Sequence, residues 1–198
     1  FFSKIVFRRP LGMSFGGVMV HPYDADNPAH GDPAFQWSES PRQSRPLGTG
    51  RPQPPRAKPL CCQAQVCAEK GRRPTMEDQH VIALNLALPS GVSAPSPVHF
   101  FGVFDGHGGV LMANYAGAHI VEHVLRQPNW WQRPDRAMAD ALVQLDSEMG
   151  SPMCLGGERG GTTAICVMIL GHECYVANLG DSRAVLHDTG CAPVVVPL

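Results

Sequence analysis

FFGVFDGHGG, residues 100–109, runs five mostly apolar residues into an aspartate, then a glycine, a histidine and two more glycines. The apolar run reads as a buried strand, and glycine-rich sequence behind a strand reads as a tight turn. A carboxylate and an imidazole therefore stand where a hydrophobic strand stops. The neighbouring sequence extends this pattern in both directions. Upstream, HVIALNLAL (residues 80–88) is a second strand candidate, and CQAQVCAEK (residues 62–70) alternates as a strand does. Downstream, Leu111, Tyr115, Ala118, Val121 and Leu125 recur at helical spacing. Met138, Ala141, Leu142, Leu145 and Met149 do the same, with Pro134 near the start of their helix. Strands then return in TTAICVMIL, ECYVANL and SRAVLHD, punctuated by the turn signals LGH and LGDS, and VVV near the end starts another. Strands, two helices, then a meander of strands predict an α+β fold built on antiparallel sheet.

The rest of the chain differs in texture. Residues 21–60 are rich in Pro, Arg, Ser and Gly, as in SESPRQSRPLGTGRPQPPRAKP, and bury too little apolar area to offset their ordering entropy. Residues 1–60 are read as an N-terminal extension, largely disordered, although LGMSFGGVMV (residues 11–20) is apolar enough for a strand. Residues 61–198 form the folded part. A net charge of −1 gives no basis for bulk attraction to nucleic acid or to a membrane surface. The longest apolar runs are too short to span a bilayer. FFSKIVF lacks the initiating Met and apolar core of a secretory signal. Seven cysteines without a C-x-x-C, two of them in predicted strands, point to free or buried thiols in a reducing compartment, cytoplasmic or nuclear.

Several carboxylates fall at strand ends. Asp105 and His107 follow one strand, Glu77 and Asp78 in GRRPTMEDQHV precede another, and Asp181 in NLGDSR lies between two more. Acidic groups brought to one rim of a sheet repel and favour a cation between them, and hard oxygen ligands suit Mg²⁺ or Mn²⁺. Gly106 would let its carbonyl approach such an ion. Two metals about 3.5–4 Å apart can lower the pKa of a shared water for attack on a phosphate. Arg73 could hold the phosphate oxygens with its planar fork, and His107 could protonate the leaving oxygen.

Four segments occur together and in order: GRRPTMED, FFGVFDGHGG, GGTTA (residues 160–164) and ANLGDSRA (residues 177–184). In this combination the chain resembles the type 2C metal-dependent protein serine/threonine phosphatases over roughly residues 62–196. The resemblance implies a four-layer α-β-β-α sandwich of two antiparallel sheets flanked by helices, with a two-metal centre of Mg²⁺ or Mn²⁺ at one edge. It implies that Asp105 bridges both metals, that Gly106 contributes its carbonyl oxygen, and that Glu77 and Asp78 bind the metals or their waters. It likewise implies that Arg73 holds the phosphate, that His107 is the general acid, and that Asp181 lies near an additional, weaker metal site. Phosphoprotein substrates and a monomeric enzyme are expected. Family members also continue past the strand near Val194 into further aspartate motifs. The chain therefore reads as a C-terminally truncated, incomplete form of the domain, and the competing expectation is an inactive phosphatase-like protein that binds phosphoproteins or regulates a partner.

Two other patterns compete with this reading. HIVEH, residues 119–123, fits the H-x-x-E-H of inverted zinc peptidases, but a catalytic zinc needs a third protein ligand that no downstream helix offers. His119 and His123 are therefore expected to be helix-surface residues. GGERGGTT, residues 156–163, partly fits a phosphate-binding loop, yet it lacks the Lys and precedes a strand. Trp130 and Trp131 are expected to anchor an inter-helix loop to the core.

Overall fold

The computed structural model describes residues 4–9, 14–20, 62–90, 92–156, 159–188 and 194–197, so the Pro/Arg-rich stretch expected to be disordered lies outside the described residues. Along these residues the elements are β1 (Lys4–Arg9), β2 (Ser14–Val20), β3 (Gln79–Ala83), β4 (Val98–Phe104) and β5 (Gly106–His107). They continue with α1 (Leu111–Arg126), α2 (Pro134–Met149), β6 (Gly161–Thr162), β7 (Ala164–Leu170), β8 (Glu173–Leu179), β9 (Arg183–Asp188) and β10 (Val194–Pro197). A five-stranded sheet has the order β2-β8-β7-β4-β3, and a three-stranded sheet the order β1-β9-β10. Pairing is antiparallel from β3 through β4 and β7 to β8, and between β9 and β10. The two strands from the first twenty residues join in parallel, β2 beside β8 and β1 beside β9. The expected sandwich of two sheets with helices is present, and both helices cover one face of the larger sheet.

β4 and β7 are buried along their whole lengths because both faces of the sheet are covered. Side chains alternate across the sheet. Phe100, Phe104, Met168 and Tyr175 face the helices and pack with Ala116, Ile120, Val124, Met138 and Leu145. Phe101, Val103, Ile165, Val167 and Val176 face the other way, into a second cluster that includes Ala184 of β9. Cys166 and Cys174 are buried free thiols, and burial pushes the pKa of each up to about 12.

Three sequence expectations are corrected. CQAQVCAEK is not a strand. Alternation becomes a strand only through a ladder, and no described strand pairs with this stretch; Cys62 and Ala64 rest on the second cluster and Val66 is exposed. In α1 the buried stripe is Met112, Ala113, Ala116, Ile120 and Val124, while Leu111 is exposed. The buried stripe lies one position away from the expected one, and Tyr115, Val121 and Leu125 pack only partly buried against the same core. His123 is not a surface residue. It is buried, with Nε2 3.1 Å from Glu148 Oε2 of α2, and the same oxygen accepts from the Tyr115 hydroxyl at 3.2 Å. His119 instead packs on the Tyr115 ring, centroids 4.3 Å apart.

Other expectations hold in part. Trp130 is in the core as expected, but Trp131 is exposed, so the two tryptophans do not anchor the loop together. Pro134 opens α2. HVIALNLAL pairs only as far as Ala83, because Asn85 turns the chain at φ +48°, a conformation asparagine tolerates. Among the described residues no helix is long and apolar enough to cross a membrane.

The Asn85 N–H donates to Nδ1 of His99, which is buried in β4. The accepting nitrogen must be unprotonated, and burial lowers the His99 pKa from its ordinary value. The unfolded chain therefore binds this proton first as pH falls, so the stability the neutral ring contributes is present above about pH 6.5 and declines below it. Denaturation midpoints should fall from pH 7 to pH 5, and His99→Gln, which keeps an acceptor but cannot titrate, should flatten that dependence. An equal slope in both proteins would contradict this role for His99.

Candidate active site

The site begins where β4 ends. Phe104 is fully buried and holds the strand rigidly, and Asp105 follows it, half-buried. The chain then pairs at once in a two-stranded ladder, Gly106 opposite Thr162 and His107 opposite Gly161. The GGTTA motif is therefore the cradle of the FDGHGG turn. A Cβ on Gly161 would lie 2.6 Å from Nε2 of His107, so the imidazole rests directly on this glycine. Gly108, at φ +74°, lets the turn close against Gly160.

Thr163 fastens the strand end. The Asp105 N–H donates to Thr163 Oγ1 at 3.1 Å, and the Thr163 N–H donates to the Asp105 carbonyl at 2.9 Å. The Thr163 hydroxyl also lies 2.6 Å from that of Ser182, the residue after Asp181.

The segment with no regular structure, residues 70–78, completes the site. A Cβ on Gly106 would meet the Glu77 carbonyl oxygen at 2.5 Å, so only glycine lets this segment lie against the strand end. The loop is held internally: the Arg73 N–H donates to the Lys70 carbonyl, Lys70 Nζ to the Pro74 carbonyl at 3.3 Å, and the Thr75 hydroxyl to Glu77 Oε1 at 3.0 Å. Gln79 Nε2 ties the start of β3 to Asn114 of α1 at 3.0 Å. The result is an open pocket of about 170 Å³, lined among others by Lys70, Arg73, Glu77, Asp78, Asp105 and Gly106.

Five of the seven site residues named from sequence therefore share one pocket. His107 and Asp181 are both exposed and do not line it. Asp181 is nonetheless near enough to act on Asp105 electrostatically. Desolvation raises the Asp105 pKa most, the charges of Asp78 and Asp181 raise it further, and Arg73 opposes them. A carboxylate held against other carboxylates favours a cation, and the donors here are hard oxygens that fit Mg²⁺ or Mn²⁺. Among the described residues, no three His, Cys, Asp or Glu side chains are already set to hold one ion together. Thr163, Ser182 and Gly161 were not among the candidates from sequence. The only signal for them was their place within GGTTA and GDSR.

A family model described as protein phosphatase 2C matches residues 63–193. Protein phosphatase 2C homolog 2 of Schizosaccharomyces pombe is 38% identical over 125 residues, which are 62% of this chain and 33% of the relative. Protein phosphatase 1F of Homo sapiens is 36% identical over 123 residues, 62% of this chain and 27% of the relative. Among solved structures, the serine-threonine phosphatase 2C from Toxoplasma gondii superposes with a TM-score of 0.53 at 23% identity, covering 64% of this chain and 45% of that one, a likeness of fold. The chain spans about a third of the length of the curated relatives it matches.

Proposed function

Because the chain belongs to the protein phosphatase 2C family, we propose that it serves a metal-dependent protein serine/threonine phosphatase whose pocket at the end of β4 binds the phosphate of a phosphoprotein. One observation carries this reading: Arg73, Glu77, Asp78, Asp105 and Gly106, from two separate stretches of sequence, line a single pocket. Asp105, the Gly106 carbonyl, Asp78 and Glu77 would hold Mg²⁺ or Mn²⁺, and Asp181 would serve a further, weaker site. When bound, such ions supply positive charge and lower the pKa of water next to the phosphate.

The protein's own groups do the rest. Arg73 orients the phosphate through paired N–H donors. His107, with its ring seated on Gly161, hands a proton to the departing serine or threonine oxygen. The joint presence of a phosphate-binding arginine, a shared carboxylate and an acid supports turnover over mere binding of phosphoproteins. Release of inorganic phosphate from a phosphothreonine peptide should require Mn²⁺ or Mg²⁺ and stop on chelation. Absence of release under both metals would contradict the reading.

Arg73 contacts the phosphate in the ground and transition states alike. Arg73→Ala should therefore act mainly on KM, raising it about 10–100-fold for the loss of charge-assisted hydrogen bonds. A variant with unchanged KM would remove Arg73 from the phosphate site.

A further inference from the structure

We propose that Thr163 and Ser182 form a hydroxyl cross-tie that fixes the strand end carrying Asp105 relative to the turn carrying Asp181, making Thr163 a positioning residue for cation binding. The proposal rests on the reading of the pocket as a cation site. The Asp105 N–H donates to Thr163 Oγ1, so that oxygen is an acceptor in one bond. The same hydroxyl is 2.6 Å from Ser182 Oγ, in a bond either oxygen can donate. The Thr163 N–H closes a second bond to the Asp105 carbonyl. Its methyl group packs where a Cβ on Gly180 would be, 2.8 Å away, and Gly180 at φ +97° turns the chain into Asp181. One side chain thus grips both acidic segments, from a position between β6 and β7.

The need for such a tie follows from charge. Asp105 and Asp181 repel one another, and the Asp181 turn is exposed. The β7–β8 ladder ends at Ala164 opposite Leu179; beyond it the Thr163–Ser182 bond restrains the Asp181 turn. Without that bond the strand end and the turn would be looser in the cation-free protein, and a cation binding there would have to order them at the expense of its own affinity. Thr163 holds them near each other beforehand. Thr163 does not line the pocket, so its influence passes through the two segments it joins.

The test compares the full chain with Thr163→Val, Thr163→Ser and Ser182→Ala, by Mn²⁺ titration calorimetry and by hydrogen exchange at the Asp105 amide. Thr163→Val keeps the branched shape, loses the hydroxyl and leaves the Asp105 N–H unsatisfied. It should weaken Mn²⁺ affinity about 5–50-fold and speed exchange at Asp105. Thr163→Ser should restore both. Ser182→Ala should weaken Mn²⁺ binding yet leave the Asp105 amide protected, since Thr163 Oγ1 still accepts from it. Wild-type Mn²⁺ affinity in folded Thr163→Val, or failure of Thr163→Ser to restore it, overturns the cross-tie. If Thr163→Val does not fold, unchanged affinity in Ser182→Ala overturns it alone. A wild-type protein that binds no Mn²⁺ instead overturns the cation reading of the pocket, and the positioning role with it.

Discussion

Asp105→Asn is expected to lower metal-dependent phosphatase activity by more than about 10³-fold, because it removes the charge that two cations would share while leaving the shape of the side chain intact. Stability should move the other way. Desolvation and the neighbouring Asp78 and Asp181 disfavour the ionised form of Asp105 in the folded protein. A raised folded pKa means that ionising this group costs stability once pH exceeds its unfolded value, so at pH 7 the neutral asparagine should leave the cation-free protein at least as stable. Opposite signs for activity and stability mark a residue kept for function. The check is phosphate release from a phosphothreonine peptide together with a melting temperature. Near-normal turnover, or a marked fall in Tm, would assign Asp105 a structural role.

His107→Gln should lower kcat by about 10²–10⁴-fold on a phosphoserine peptide, the usual span for general acid catalysis. The loss should depend on the leaving group. Serine departs as a poor alkoxide and needs a proton, whereas nitrophenyl phosphate releases a stable phenolate and needs one far less. Activity on nitrophenyl phosphate should therefore be largely retained, with metal occupancy matched and the chemical step measured. His107 suits this role by position: it is exposed, follows Asp105 by two residues and rests on Gly161 in the β5–β6 ladder. Equal losses on both substrates would require a different proton donor.

Much of the architecture was legible because its signals are local. VHFFGVF is apolar without interruption because β4 is buried on both faces, and its bounds as a strand matched. α2 announced itself through Pro134 and a clean apolar stripe. What stayed hidden depends on tertiary partners. The alternation of CQAQVCAEK could not reveal that no described strand pairs with it. The stripe of α1 was misplaced by one position because apolar residues stand on two adjoining faces of the helix, and only tertiary contact shows that the face with Ala113, Ala116, Ile120 and Val124 meets the sheet. His123 read as a surface residue because its partner, Glu148, lies on another helix.

The site divides in the same way. Asp105, Glu77 and Asp78 were legible as charged groups at strand ends, where a core has no use for them, and Arg73 as a cation in the loop that leads to Glu77. The close approach of Gly106 to the Glu77 carbonyl, and the grip of Thr163 on Asp105 and Ser182, depend on distances between segments far apart in sequence. A threonine within GGTTA carries no charge and follows no periodicity, so only its hydrogen bonds distinguish it.

The central claim is that the pocket lined by Asp78, Asp105 and Gly106 is a divalent-cation site. Titrating the protein with Mn²⁺ and following the paramagnetic resonance signal of the free ion tests this without reference to turnover. Wild-type protein, and the surface variant Glu122→Gln as a control, should both withdraw Mn²⁺ from solution, while Asp105→Asn should not. Equal Mn²⁺ uptake by Asp105→Asn and wild type would contradict the account.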